Sequence, residues 1–217
     1  MKKTLATIIY FTLSLTLISI GYTISFFSDT ETSTNNLLGI TTLSSDNLLI
    51  NEVMYDPTQN DNFNEWIELY NPTDKPVDVD GWRIVDNEEE DLIEGDDVNG
   101  NGTTIIPPQG YAIITDSNTH VYDNFIIPEN AIKLRVEDNS IGNDLGNEND
   151  KIILKNATGV IVDAIEWGSD YTDVPGSPIS DVDEGHSIAR YTNVDTNDTL
   201  ADFYDETDPT PGSENIV

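Results

Sequence analysis

Apolar side chains recur at alternate positions in short stretches of residues 48–191, and turn-forming residues separate these stretches. Such alternation is typical of strands that have one buried and one exposed face. In the stretch EWIELY, Ile67 and Leu69 are therefore expected to point into a core, whereas Glu65 and Glu68 should point away from it or lie at its rim. The stretches that show the pattern are 48–54, 65–70, 77–79, 82–85, 103–107, 110–115, 131–136, 151–156, 160–167 and 186–191.

The number and length of these stretches predict the fold class. Seven to nine short strands with Gly, Pro and Asn between them favour an all-β, immunoglobulin-like sandwich over an α/β fold. The turn Ala157-Thr158-Gly159 predicts a hairpin between two of the strands. The acidic segment 87–102 is expected to be a loop, and the Asp-, Thr- and Pro-rich residues after Tyr191 are expected to form a tail.

The first residues of the chain predict export. Lys2 and Lys3 precede a long uncharged run, which is the arrangement of a secretory signal. We therefore predict a signal peptide or a signal-anchor helix over residues 1–25. Small residues near its end favour cleavage. Residues 5–27 carry no charge and are long enough to cross a membrane, so an uncleaved anchor is the alternative.

The segment 26–47 is rich in Thr, Ser and Asn and has little periodicity, which predicts a flexible linker. Its first part, 26–36, resembles the region that follows the signal peptide in certain archaeal and Gram-positive surface and biofilm-matrix proteins. The folded domain is expected to span residues 48–215. Either form of the leader places this domain outside the cytoplasm, secreted or on the cell surface, because the two lysines hold the N-terminus inside.

The charge balance excludes several kinds of partner. The chain has 41 Asp and Glu against 9 Lys and Arg, a net charge of −32. Without Lys2 and Lys3 the balance is 41 against 7, or −34. Such a surface repels phosphate, so we expect no nucleic-acid binding and no membrane contact except through the N-terminal segment. There is no cysteine, so the exported domain is stabilised without disulfides and has no thiolate chemistry.

Two motifs in particular connect the chain to a known family. They are EWIELYN at residues 65–71 and Asp80-Gly81-Trp82. Together with INEVMYDP, IIPPQGYAIIT, GNENDKIILKNATGVIVDAIEWG, HSIARY and the Pro- and Gly-containing end of the chain, they stand in the order and spacing of the lamin tail domain. Over residues 48–215 the chain resembles an exported, prokaryotic-type member of this family, and the resemblance implies an immunoglobulin-like sandwich.

The family resemblance also bears on function. Eukaryotic members sit at the end of intermediate filaments and contact nuclear partners, including chromatin. Prokaryotic relatives look like adhesion or targeting modules, often appended to extracellular hydrolases. The acidic charge and the export signal argue against chromatin-type binding, and the resemblance implies instead a non-catalytic module that binds a protein or a cell-surface polymer.

One loop has the composition of a calcium site. Asp97, Asn99 and Asn101, followed by Gly102, match the first half of a D-x-[DN]-x-[DN]-G loop, in which alternate side-chain oxygens bind the ion. The bidentate Glu of a complete EF-hand is absent, because Pro108 stands at its position. A partial calcium site at Asp97, Asn99 and Asn101 that also uses Asp96 or Glu94, and a plain hairpin turn at Asn99-Gly100, are therefore the two interpretations. The oxygen-rich stretch 138–150 is a weaker candidate for the same ion.

The sequence contains no catalytic constellation. His120 and His186 are far apart, and the motifs of serine hydrolases, zinc proteases and phosphate-binding loops are absent. With 41 acids, a pair of carboxylates suited to acid–base catalysis would occur by chance alone. We expect no catalytic residues, no cofactor other than calcium and no enzyme activity.

Other side chains have a structural and a functional interpretation. The three tryptophans could form a platform for carbohydrate, but their places in the strands favour packing; they are Trp66, Trp82 and Trp167. Three sequons for N-glycosylation start at Asn101, Asn156 and Asn197, and their use requires exposure and a suitable host.

Two functions remain. The first is a non-catalytic extracellular or cell-surface module that presents an acidic β-sandwich to a protein or polymer partner. The alternative is a structural subunit of a cell-envelope or biofilm-matrix assembly, assisted by calcium, which the resemblance of segment 26–36 to matrix proteins suggests.

Overall fold

The structure, a computed structural model, describes residues 48–191 and 195–216. The predicted leader, 1–25, and the predicted linker, 26–47, lie outside the described residues. Within the described part of the chain, no helix has the length and apolar character to cross a membrane.

Short strands are the main regular elements of the described residues. The strands are β1 (Leu49–Met54), β2 (Trp66–Tyr70), β3 (Val77–Asp78), β4 (Arg83–Val85), β5 (Glu90–Gly95), β6 (Ile105–Ile106), β7 (Tyr111–Thr115), β8 (Ile132–Val136), β9 (Asp150–Lys155), β10 (Ile161–Trp167), β11 (Ser187–Arg190) and β12 (Phe203–Glu206). Two one-turn helices, α1 (Val121–Asn124) and α2 (Thr199–Asp202), and a short 3₁₀ helix (Asp61–Phe63) connect some of them. The predicted all-β class is confirmed.

Ten strands are hydrogen-bonded in the order β10-β9-β4-β5-β8-β7-β2-β1-β11-β12, and β3 pairs with β6. Strand β5 turns the corner between two layers: Glu90–Leu92 pair with β4, whereas Ile93–Gly95 pair with β8. One core contains residues from both sides of that corner, such as Ile84 and Leu154 on one side and Ile67 on the other. This arrangement fits an immunoglobulin-like sandwich.

Arg190 on β11 connects β1 of one layer to β10 of the other through hydrogen bonds. Its guanidinium donates to Asp163 Oδ2 on β10 at 2.7 Å and to the carbonyl oxygen of Ile50 on β1 at 2.9 Å. The amide of Ile50 donates to the same Asp163 oxygen at 2.7 Å. Arg190 and Asp163 are buried, and a buried pair whose remaining groups are hydrogen-bonded is expensive to break.

The alternation of aliphatic residues predicted the core correctly, but it misassigned two glutamates. Ile67 and Leu69 are buried as expected, yet Glu65 and Glu68 are also buried, at 3% and 0% exposure. The prediction that they point to solvent or to the rim is wrong. For Glu68 the reason is that the second face of β2 is covered as well, partly by a small cluster that includes Trp66 and Val121. Glu65 stands two residues before Ile67, so alternation places it on the same face as Ile67 and Leu69.

Two segments predicted as irregular contain strands. The expected loop 87–102 contains β5, and the expected tail after Tyr191 contains β12. Acidic residues obscured β5 in the sequence. In the structure, Glu90 accepts from Lys155 Nζ at 2.7 Å, and Glu94 from Arg135 at 2.9 Å, so cross-strand ion pairs offset the weak strand preference of these acids.

Candidate functional site

The loop between β5 and β6, residues 96–102, is organised by the buried Asp96. Its Oδ1 accepts from the amides of Val98 and Asn99 at 2.8 Å each, and its Oδ2 accepts from Asn99 Nδ2 at 2.8 Å. Gly102 closes the loop by donating to the carbonyl oxygen of Asp96 at 3.0 Å with a φ of 72°, which favours glycine. The carboxylate that organises this loop is therefore that of Asp96, whereas the calcium-loop pattern begins one residue later, at Asp97.

The three predicted calcium ligands all stand on this loop with exposed side chains: Asp97, Asn99 and Asn101. The Asn99 amide is engaged with Asp96, and Asn101 Oδ1 accepts from the amide of Thr103 at 3.1 Å. Across residues 48–191 and 195–216, no group of three or more His, Cys, Asp or Glu side chains is placed to hold a metal ion. Calcium binding at Asp97, Asn99 and Asn101 stays a prediction.

Two surface clefts flank the loop. One, of about 460 Å³, lies along β5 beside the turn that precedes β4 and includes Asp97 and Arg135; the other, of about 300 Å³, includes Asn99, Asn101 and Ile127. Two apolar side chains next to the clefts are almost fully in solvent: Val98 is 82% exposed and Ile126 98%. We call the loop 96–102 and the segment 126–133 together the loop surface. It combines carboxylates, amides and exposed aliphatic groups, which suits contact with a partner.

Two buried glutamates lie beneath the end of the chain. Glu52 on β1 stands directly opposite Glu68 on β2, and both are 0% exposed. Residues 208–216, which we call the C-terminal strap, cross over them. Glu68 accepts from Gly212 N of the strap at 2.5 Å and from Asn51 Nδ2 at 2.6 Å. Burial, followed by the neighbouring charge of Glu52, raises the pKa of Glu68 well above its usual value.

Glu52 is equally well supplied with donors. Its Oε1 accepts from Ser187 Oγ at 2.6 Å and from Thr210 N at 3.0 Å, and its Oε2 accepts from Thr210 Oγ1 at 3.1 Å. Burial raises its pKa to about 7, and these hydrogen bonds oppose part of the rise. Glu52 and Glu68, which we call the strap-binding pair, therefore fasten the C-terminal strap through its backbone.

A second pair of acids has fewer partners. Glu65 Oε2 accepts from Leu145 N at 3.2 Å, and Asp144 Oδ2 accepts from Asn62 Nδ2 at 3.2 Å. The other oxygen of each carboxylate, Glu65 Oε1 and Asp144 Oδ1, is buried without a hydrogen-bond partner. Burial raises the pKa of Glu65 to about 9, and the nearby charge of Asp144 adds to the rise. We call Glu65 and Asp144 the unpartnered pair.

Comparison with protein families decides the classification. The family model of the Lamin Tail Domain matches residues 41–169, more than half of the chain. The chain belongs to the lamin tail domain family. The family is one of non-enzymatic, immunoglobulin-like domains. Comparison with curated proteins gave no match.

The matched part of this lamin tail domain includes both clefts, the loop surface and the unpartnered pair. It ends before β11, so Arg190, β12 and the C-terminal strap lie beyond the match. The resemblance of HSIARY and of the end of the chain to the family stays a prediction. In the structure these segments complete the domain, because β11 pairs with β1 and the strap covers the strap-binding pair.

The aromatic candidates pack inside the lamin tail domain. Trp66, Trp82 and Trp167 are buried, and Trp167 stacks on Tyr55 with ring centroids 4.5 Å apart. The structural interpretation is confirmed, because buried rings cannot form a platform for carbohydrate. His186 Nδ1 lies 2.8 Å from Asp205 Oδ1 on β12, which makes it a cross-strand contact.

The sequons occupy three different environments. Asn101 and Asn197 are exposed. The Asn156 side chain is half-buried and holds the β9–β10 turn, since its Oδ1 accepts from the amides of Thr158 and Val160 at 3.0 Å each. Glycosylation at the three positions stays a prediction.

Sequence reasoning missed the four acids of the two pairs. Glu65 and Glu68 were placed at the surface, and Glu52 and Asp144 were not singled out. A signal was present for Glu52 and Glu68, because each stands inside an apolar strand where an unpaired carboxylate is costly. The alternation of residues in a strand does not show which segment covers it. The strap-binding pair is covered by the C-terminal strap, which lies more than a hundred residues later in the sequence.

Proposed function

We propose that this lamin tail domain is a non-catalytic binding or adhesion module that acts outside the cytoplasm, secreted or at the cell surface. It presents an acidic β-sandwich to a protein or cell-surface polymer. The family supports a binding module without chemistry of its own. The predicted leader and the charge of −32 support an extracytoplasmic location and argue against nucleic acid as the partner.

The loop surface is the observation that carries the proposal. Val98 and Ile126 are the two most exposed large apolar residues among the described ones, and both adjoin the clefts. Exposed apolar groups of this kind contribute to contacts when they are surrounded by polar residues. Here they lie beside carboxylates such as Asp97 and Glu129, so a partner with basic and apolar groups fits best.

The test compares attachment of the purified chain to immobilised cell envelopes and to a basic polymer, polylysine. Val98→Ser together with Ile126→Ser should weaken attachment to envelopes by about tenfold, since two apolar contacts are lost, and should leave attachment to polylysine unchanged. Val160→Ser is the matched control, because Val160 is also exposed, at 41%, but lies in the β9–β10 turn. Equal loss in the control, or turnover in a panel of hydrolase assays, would contradict the proposal.

One observation favours the alternative, a structural subunit of an envelope or matrix assembly. Strand β12 is last in the sheet order, with β11 as its one paired neighbour among the described residues. Tyr191 stacks on Tyr204 at 4.7 Å beside this edge, and Leu200 is 56% exposed. A strand edge with exposed apolar neighbours can add strands from another chain.

Sedimentation distinguishes the two functions. An assembly subunit should form oligomers at high concentration once salt or calcium screens the acidic charge, and Leu200→Asp should prevent it. Monomers under all of these conditions would leave the binding module as the function.

A further inference from the structure

Acidic side chains from four separate segments gather at the end of the sandwich where β2 begins. They are Asp61 on the 3₁₀ helix, Glu65 before β2, Asp116 after β7 and Asp144 between β8 and β9. The charges of the other three all act on Glu65. Like charges so close together are unfavourable unless protons or a cation neutralise them.

The unpartnered pair points to a ligand within this group. Glu65 is 3% exposed. Its Oε2 accepts from the amide of Leu145, the residue next to Asp144, and its Oε1 has no donor. The charge of Asp144 acts on Glu65, so the two carboxylates are neighbours. Asp144 Oδ1 is buried and also without a donor. A buried carboxylate oxygen normally has a partner, so two such oxygens from neighbouring side chains call for a shared one.

We propose that Glu65 Oε1 and Asp144 Oδ1 bind a divalent cation, calcium by preference. A small cation supplies the positive charge that the surrounding acids lack, and carboxylate oxygens are its preferred ligands. This site is distinct from the loop 96–102, where the sequence predicts calcium. The two share no residue.

The surroundings favour calcium over magnesium. Two carboxylates from separate connecting segments, with water as the remaining ligands, suit the variable geometry and high coordination number of calcium, whereas magnesium requires a near-ideal octahedron. Asp61 is half-buried, and its negative charge acts on Asp144. Its Oδ2 is steadied by Asn147 Nδ2 at 3.3 Å. We expect a dissociation constant of about 10⁻⁴–10⁻³ M, the range of extracellular calcium modules.

The experiment measures calcium binding by calorimetry and the melting temperature of the purified full chain, with and without millimolar calcium. Calcium should bind and raise the melting temperature. Glu65→Gln keeps the shape of the side chain but removes its charge, so it should weaken binding at least tenfold and remove the calcium-dependent rise. In metal-free buffer the same variant should melt at a higher temperature than the parent chain, because an uncompensated buried acid is gone.

Two further variants keep the result interpretable. Asp144→Asn should weaken calcium binding as Glu65→Gln does. It replaces Glu65→Gln in the test if that variant fails to fold. Asp97→Asn, in the loop 96–102, should leave binding at Glu65 and Asp144 unchanged. The proposal is overturned if the parent chain binds no calcium, magnesium or manganese at millimolar concentration, or if Asp97→Asn abolishes the binding and Glu65→Gln does not.

Discussion

The strap-binding pair and the unpartnered pair are both acidic and withdrawn from solvent, fully for Glu52, Glu68 and Glu65 and partly for Asp144, and they differ in their donors. Glu52 and Glu68 receive hydrogen bonds on all four oxygens. Glu65 and Asp144 each have one oxygen with none. Burial raises the pKa of Glu52, Glu68, Glu65 and Asp144, so burial by itself does not separate the two pairs.

The difference shows what a buried carboxylate does in this domain. Where the backbone of the C-terminal strap supplies donors, the carboxylate holds distant parts of the chain together by hydrogen bonds. Where no donor is supplied, the oxygen remains available to a cation. The partners, rather than the acid, decide between a structural and a ligand-binding role.

The largest expected effect on stability comes from removing a carboxylate of the strap-binding pair. Glu68→Ala should lower the free energy of unfolding by about 4 kcal/mol, since Asn51 Nδ2 and Gly212 N lose a buried acceptor at about 1–3 kcal/mol each and a cavity is left. Glu65→Ala in metal-free buffer should cost clearly less, because Leu145 N alone loses its acceptor and an uncompensated acid disappears. Urea unfolding measures both. Equal losses would remove the distinction between the pairs.

A pH titration tests the strap-binding pair without changing its shape. Between about pH 4.5 and pH 7 the folded state binds more protons than the unfolded state, because the pKa of Glu52 is raised to about 7 in the fold. The free energy of unfolding should therefore fall as the pH rises through this window, by on the order of 3 kcal/mol from Glu52. Glu68 faces Glu52, and its own raised pKa also makes stability fall as the pH rises. The charge of Glu206 contributes to the raised pKa of Glu52.

Glu52→Gln isolates this contribution. The amide does not titrate, so the dependence of stability on pH should be shallower than in the parent chain. An unchanged slope would show that Glu52 is not protonated in the fold.

The smallest of the three effects concerns the strap. Gly212 has a φ of 88°, and a Cβ there would lie 2.8 Å from Pro128 and 3.1 Å from Ala131. Gly212→Ala should cost about 2 kcal/mol, from backbone strain of about 1–2 kcal/mol and the contact. Gly159 offers a control, since its φ is 81° but no atom lies within 4 Å. Gly159→Ala should cost less and leave the strap as resistant to proteolysis as before; equal sensitivity in both variants would argue against a docked strap.

The strands that the sequence predicted best are those with several aliphatic residues between clear turn signals. Strands β1, β2, β4, β7, β8, β9 and β10 all begin and end within one residue of the predicted stretches. Strand β5 was missed because Glu90 and Glu94 weaken the pattern and are stabilised by basic residues on other strands. Strand β12 was missed because it offers one buried aromatic residue, Phe203, among acids.

The sites were less predictable than the strands. The composition of the loop 96–102 drew attention to Asp97, Asn99 and Asn101, whereas the structure places the organising carboxylate one residue earlier, at Asp96. The burial of Glu68 depends on Gly212, 144 residues later in the chain. A local pattern contains no information about such a long-range cover, so alternation assigned this glutamate to the wrong environment.

Asn215 near the end of the strap is bonded to the start of β1. Its amide donates to the carbonyl oxygen of Asn51 at 3.1 Å and to that of Arg190 at 2.9 Å, and its Oδ1 accepts from Asn51 Nδ2 at 3.0 Å. The end of the strap is therefore held against both β1 and β11 by one side chain. A pulling force applied at this end would load the three bonds of Asn215 first and peel the strap from the sheet stepwise.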